Sequence, residues 1–413
     1  MSFDTRNNSI IEKNPLDRID QVIEDRFQSE NSSLLNGLGG CALYFSNRFI
    51  QTNKTKYQDY YIDIIERIIE SANLSGLPNQ ISIGHHGSSV CWVIDQLVSK
   101  GLLDEDAKCS SQLIVDQIVM STNAEELQYN FHDVFYGFIG KAIIVRDHDK
   151  EKSSPYISKI IAALINNIQE DGIYWKTPGS FQMGLPFKDT INFGIPHGMC
   201  GILLFLIKCF EEFEIHKNLA EPIENSIDWL ISQLTKNNNS IPHIMYSEKP
   251  LTSGRLAWCY GDLSIAYTLL RGYEVLKHER ARTKAFELLE KAIAKSLKDS
   301  GVQNYTKYGY YDMGVCHGTS SVAYMFKKIH HITHDDDINL EAIRWINLTL
   351  ECLDKYLLQI DSIAILEKEN NFIDTSMGLL GGLSGVGLVL ISFLDPKLSD
   401  WDKLLLLDRP GRE

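Results

Sequence analysis

Cysteine is scarce in this chain, with 8 residues in 413 beside 12 histidines. That rules out a disulfide-built scaffold and leaves isolated thiols and imidazoles available for metal or thiol chemistry. Positive charge is also short. Forty Lys and Arg stand against 54 Asp and Glu, a net charge of −14, which disfavours sequence-independent binding to phosphate backbones and excludes nucleic acid as the expected partner. No apolar run of signal-peptide length occurs in the N-terminal MSFDTRNNSIIEKNPLDRID. Nothing there directs secretion, and reduced, cytoplasmic thiols are the expectation. One long uncharged stretch stands out: Ser376 to Leu394 (SMGLLGGLSGVGLVLISFL) runs 19 residues without a charge, close to the spanning minimum. Its five glycines and three serines, and the charged near-copies of it elsewhere, argue against a transmembrane span. What remains, 44% hydrophobic and 23% charged residues, is the composition of a globular protein with a sizeable core.

The near-copies are the main feature of the sequence. Short Gly-rich strings recur as LLNGLGGCALYF, GHHGSSVCWVI, DVFYGFIGKAII, GIPHGMCGILLFL, WCYGDLSIAYTLL, VCHGTSSVAYMF and LLGGLSGVGLVLI. Their lead glycines are Gly37, Gly87, Gly137, Gly198, Gly261, Gly318 and Gly382. These strings and the residues just before them hold 19 of the 28 glycines, a clustering that composition alone does not produce. Periods of this size mean an array or a closed ring.

Between the strings lie segments with helical periodicity and a charged face. Examples are YIDIIERIIE at Tyr61 and the run through Ile343, Ile346, Leu350, Leu353 and Leu357, with others beginning near Pro155, Pro222 and Lys284. The helices that follow the strings are instead apolar nearly all round, so they must be buried on every side. Two concentric layers satisfy both patterns. The sequence therefore predicts an all-α fold, an α/α toroid (barrel) of seven helical hairpins, forming a single domain over residues 1–413. Minor β insertions are expected, one of them around GIYWKTP after Gly172. If every string opens an inner helix, all seven meet at one rim, where free N–H groups and helix dipoles concentrate.

Polar substitutions distinguish the copies. The fifth reads RLAWCYG, with Arg255, Trp258, Cys259 and Tyr260; the sixth reads GVCHG, with Cys316 and His317; the fourth carries His197 and the third opens on Asp133. Cys259, Cys316 and His317 are candidates for a Cys₂His zinc set with an open fourth position. Linear spacing is a poor signal here, since there is no CxxC, but adjacent inner helices bring their rims to about 8–10 Å. The alternative is two buried small thiols and a capping histidine, and spacing alone leaves both open.

PHG, WCYG and GVCHG, in this order within a seven-fold helical repeat, resemble the lanthionine synthetase C-like (LanC-like) cyclases. The resemblance covers almost the whole chain, to a closing SDWDKLLLL similar to the family's ending. It implies a stand-alone, Zn²⁺-dependent lanthipeptide cyclase that adds substrate Cys thiols to dehydroalanine or dehydrobutyrine, forming thioether rings. Cys259, Cys316 and His317 would be the zinc ligands. His197 would be the general acid or base, Arg255 would stabilise the enolate oxygen, Asp133 would orient His197 or Arg255, and Tyr260 matches a further active-site position. The implied partners are a dehydrated precursor peptide (leader plus core), a separate dehydratase and a transporter, in a cytoplasmic complex peripheral to the inner membrane. Glutathione addition to dehydrated residues is an alternative, because it needs the same activated thiol. A non-catalytic scaffold is another, against which the intact ligand set argues. Prenyltransferase-like toroids also activate a thiol on zinc, but with a carboxylate in the ligand set. His85 and His86 in GHHG are not a recognised family feature. Trp175 is either a wall of the peptide groove or packing.

Overall fold

The computed structural model describes residues 13–27, 31–75, 82–84, 88–124, 127, 131–169, 174–177, 190–245, 254–360 and 376–409. Fourteen α-helices lie among them. Seven follow Gly strings: α2 (Leu38–Thr52), α4 (Ser88–Ser99), α6 (Phe138–His148), α8 (Met199–Glu212), α10 (Asp262–Leu276), α12 (Thr319–Thr333) and α14 (Leu383–Leu394). The others are α1 (Lys13–Arg26), α3 (Thr55–Ser75), α5 (Lys108–Ser121), α7 (Lys150–Asn166), α9 (Ala220–Lys236), α11 (Glu279–Ile293) and α13 (Asp336–Leu357).

The two sets separate into layers for the reason their patterns imply. In α8 every residue from Met199 to Cys209 is buried, whereas α9 buries only Ile223, Ser226, Ile227, Leu230, Ile231 and Leu234, one stripe at helical spacing. Each string helix packs against the amphipathic helix that follows it, and α14 finds its outer partner in α1 at the other end of the chain. Ring neighbours α14 and α2, α2 and α4, α4 and α6, α8 and α10, α10 and α12, and α12 and α14 also pack. The result is the α/α toroid with seven inner helices. The uncharged stretch ending at Leu394 becomes a turn and the 12-residue α14, buried in the inner layer. No helix among the described residues is long and apolar enough to cross a membrane.

Strand is minor. β1 (Ile191–Asn192) pairs antiparallel with β2 (Ile244–Met245), β3 (Asn304–Tyr305) with β4 (Tyr310–Tyr311), and Thr177 bridges Thr190. Trp175, in the predicted insertion, is fully buried and donates its indole N–H to Leu164 O (2.9 Å). It is packing, not a groove wall.

One turn recurs at the rim. Leu38 N donates to Asn31 O (2.8 Å), Phe138 N to Phe131 O (3.0 Å), Asp262 N to Arg255 O (3.1 Å) and Thr319 N to Asp312 O (2.7 Å). Each time, the first helical residue reaches back seven positions across the string. The lead glycine sits inside this loop, and room is mainly what demands it. Gly198 is extended (φ −157°), yet a Cβ there would lie 2.1 Å from Asn192 O. Gly261 needs both room and freedom, with φ +104° and Arg255 O 1.9 Å from a Cβ. Gly261→Ala should therefore cost about 3 kcal/mol through overlap and left-handed strain. The measurement is the thermal unfolding midpoint, and an unchanged midpoint would show that the turn re-forms around a Cβ.

Consecutive strings are tied together in one direction. Gly84 N donates to Phe135 O (2.7 Å), Val134 N to Pro196 O (2.8 Å), Ile195 N to Cys259 O (3.1 Å) and Cys259 N to Cys316 O (3.3 Å). Cys316 N then donates to Leu380 O (3.0 Å), and Leu379 and Leu380 N donate to Leu34 and Leu35 O (3.2 and 2.9 Å). The circuit closes where Leu34 N donates to the Ser89 hydroxyl (3.2 Å).

At the opposite end, residues 395–409 cross beneath the C-terminal turns of the inner helices. Asp402, fully buried, accepts from Tyr324 Oη (2.7 Å) and pairs with Lys328 (2.9 Å). Lys208 pairs with Asp408, and Glu274 holds both Arg271 and Arg409. These buried ions are each partnered, as burial requires. Trp258, in the fifth string, is buried and donates its indole N–H to Leu405 O (3.0 Å).

Candidate functional site

Four strings, the third to the sixth, meet where the sequence places the chemistry. Cys259 lies in the string before α10, and Cys316 and His317 in the string before α12; the Cys259 N–H to Cys316 carbonyl bond holds the two loops together. The Cys259, Cys316 and His317 ligand atoms all lie within 4.8 Å of one another. Zinc with Zn–S bonds of about 2.3 Å needs tetrahedral donors about 3.8 Å apart, a small contraction from this arrangement. Cys259 is buried, whereas Cys316 and His317 are partly exposed, so the open side faces outward. This is the one cluster of three or more such ligands among the described residues, and it contains no carboxylate. The donor chemistry thus fits zinc with one position left for a substrate atom.

The two sulfurs behave as a pair. The hydrogen bond from Cys316, joined by His317 and the Arg255 charge, holds the Cys259 thiol well below the usual range despite burial. The same bond and burial push Cys316 up. The first proton leaves this pair readily, which favours a cation between the sulfurs.

Next to the cluster stands His197, in the string before α8. Its Nδ1 lies 2.5 Å from Asp133 Oδ2. Asp133 is fixed by its own string, since Oδ1 accepts from Phe135 N (2.8 Å) and Tyr136 N (2.9 Å). It is therefore both the turn cap and the partner of His197, not of Arg255. Burial would lower the His197 pKa, but the charge and hydrogen bond of Asp133, with Cys259, outweigh it and hold the imidazole above its ordinary value.

Arg255 flanks the thiol pair from the start of the fifth string. Its Nη2 donates to Gly301 O (3.2 Å), while its buried Nε finds no partner among the described residues. Tyr260 is buried and accepts at Oη from Asn192 Nδ2 (3.1 Å), and burial pushes its phenol up. Its ring lies between two imidazoles, His197 at 6.4 Å and His243 at 5.0 Å, the latter stacked. Tyr136 also stacks on His197 (6.4 Å, 13°). His85 and His86 lie outside the described residues.

Asn192, His243 and Asp312 join the site without any motif signal. Asn192 and His243 reach it through the short β1–β2 pairing, where Phe193 N donates to His243 O (3.0 Å). The buried His243 Nε2 finds no partner among the described residues, and burial lowers the pKa of this imidazole. Asp312 lies 3.4 Å from His317 Nε2.

The chain is similar in structure to nisin cyclase, with 20% sequence identity, a TM-score of 0.70, and coverage of 97% of this chain and 98% of that one. At that identity the likeness speaks for the fold. The family model described as lanthionine synthetase C-like protein matches residues 28–406, which contain every string and every candidate site residue. On that match, the chain belongs to the lanthionine synthetase C-like family.

Proposed function

We propose that this protein is a zinc-dependent lanthipeptide cyclase, joining a substrate Cys thiol to a dehydroalanine or dehydrobutyrine of the same peptide. The carrying observation is that the Cys259, Cys316 and His317 cluster and the Asp133–His197 pair share one end of the toroid, each within the field of the other. Bound at the cluster, zinc would keep a substrate thiol ionised at neutral pH.

The chain's own residues account for the rest of the step. A C–S bond forms as the thiolate attacks the β-carbon; the C=C π pair moves to the α-carbon and its carbonyl oxygen, giving an enolate. Arg255 would stabilise that oxygen through its positive charge. His197 then delivers a proton to the α-carbon, and Asp133 on Nδ1 fixes the tautomer that presents Nε2. Tyr260, pinned by Asn192, forms the wall beside His197. The precursor peptide arrives already dehydrated, so a separate dehydratase precedes this enzyme; a transporter and the inner membrane surface complete the proposed complex.

The test is incubation with a dehydrated, cysteine-containing peptide, followed by thiol alkylation and mass spectrometry. Cyclisation consumes thiols with no change in mass. A glutathione adduct formed in its presence would transfer the reading to intermolecular addition, and no reaction with either would favour the scaffold. The pH profile carries its own sign. His197 acts protonated and its pKa is raised, so turnover should fall as pH rises through that value, and Asp133→Asn should move this alkaline limb to lower pH. A limb that stays in place in Asp133→Asn would remove His197 as the acid.

A further inference from the structure

The recurring rim turn allows its copies to be compared position by position. Asn31, Asn192 and Asp312 each stand seven residues before the first residue of an inner helix. All three make the same side-chain turn: Asn31 Oδ1 accepts from Ser33 N, Asn192 Oδ1 from Gly194 N and Asp312 Oδ1 from Gly314 N, each at 2.9 Å. Two copies do this with a neutral carboxamide. The turn therefore needs an oxygen but no charge, and the charge at position 312 must serve something else.

What it faces is His317. Asp312 Oδ2 lies 3.4 Å from His317 Nε2, and His317 is its sole ion-pair partner among the described residues. The carboxylate is held before any ligand arrives: Asp312 N donates to Gln303 O (2.9 Å), its carbonyl accepts from Thr319 N, and Oδ1 is fixed by Gly314 N. It is also mostly buried, at 14% side-chain exposure. In the neighbouring copy the equivalent position is Arg255. The two charged residues at this place in the repeat thus flank the one string pair that carries the ligand set. Two thiolates, one carboxylate, one guanidinium and a divalent cation sum to zero, so the metal-bound set is neutral with Asp312 in place.

We propose that Asp312 is the positioning residue of the metal centre: it accepts the Nε2–H of His317, fixes that tautomer and turns Nδ1 to the ion. A histidine ligand needs its second nitrogen held, and removing such a holder typically weakens metal binding roughly 10–100-fold. The inference rests on the zinc reading above but not on turnover.

The experiment is zinc affinity by chelator competition on wild type and Asp312→Asn, with ¹⁵N-histidine NMR of the zinc-loaded wild type. Asp312→Asn keeps the turn, as the first and fourth copies do, but sets an amide donor against the His317 donor. A zinc dissociation constant raised by about 10–100-fold, with Asp312→Glu recovering part of the loss, supports the proposal. An affinity within twofold of wild type overturns it. The NMR arm is independent of how the variant folds: a protonated Nε2 and metal-bound Nδ1 support the proposal, and a metal-bound Nε2 overturns it. Wild type that binds no zinc would overturn the metal reading and this inference together. Normal zinc affinity and tautomer in a protein that closes no rings would overturn the cyclase reading alone.

Discussion

Protein purified without chelator should carry about one zinc per chain, and Cys316→Ala should lose nearly all of it. Structural zinc sites of four donors bind with roughly 10–16 kcal/mol at neutral pH, so one thiolate is worth on the order of 3–4 kcal/mol, or a few hundred-fold in affinity. Cys259 cannot compensate. Its low thiol pKa derives first from the hydrogen bond of Cys316, so the substitution removes a ligand and also raises the pKa of the remaining thiol. Elemental mass spectrometry on both proteins decides the matter. Cys200→Ala is the control, because that thiol lies in the inner layer where burial pushes it up to about 12, out of range for metal binding. Zinc retained in full by Cys316→Ala, or lost equally in Cys200→Ala, would refute the assigned ligand set.

The second large effect should come without any loss of metal. His197→Gln should slow ring closure by about 10²–10⁴-fold, the usual worth of a positioned acid or base, while zinc content stays at the wild-type level. The separation follows from the geometry: His197 is anchored by Asp133 in the third string, not by the thiol pair. Protonation of the enolate would then fall to solvent, so the rings still formed should show mixed configuration at the α-carbon. Chiral analysis of the hydrolysed product reads this directly. Rates within tenfold of wild type, with a single α-carbon configuration, would exclude His197 from proton delivery.

Much of this site was legible because the repeat supplies its own internal reference. Gly198 and Gly318 mark equivalent places, so His197 and His317, each one residue earlier, stand out as substitutions on a shared template. Buried and exposed helical stripes gave the two layers in the same way. The contributions of Asn192, His243 and Asp312 were not legible. Asn192 and His243 reach Tyr260 through a two-residue strand pairing, too short to leave an alternating pattern. Asp312 lies outside the Gly strings, and its meaning depends on knowing that the rim turn begins seven residues before the helix. The floor of the toroid was hidden for a different reason. Lys208, Arg271 and Lys328 read as interruptions of apolar helices, and only their pairing with Asp408, Glu274 and Asp402 makes burial tolerable.

The one-directional circuit of hydrogen bonds around the rim makes this repeat protein unlike a linear array. Stacked repeats have two terminal members with an unmatched face, and they need caps to stop unravelling from the ends. Here Leu379 and Leu380 donate to Leu34 and Leu35, so the last copy treats the first as its successor and no copy is terminal. The ring has no end from which to fray. Local opening must break bonds on both sides of a string at once, and the strings bearing Cys259 and Cys316 are shielded from it as fully as any other. Amide protons of Cys259, Cys316 and Leu380 should therefore exchange with similar slowness, a protection that a linear array confers only on its middle.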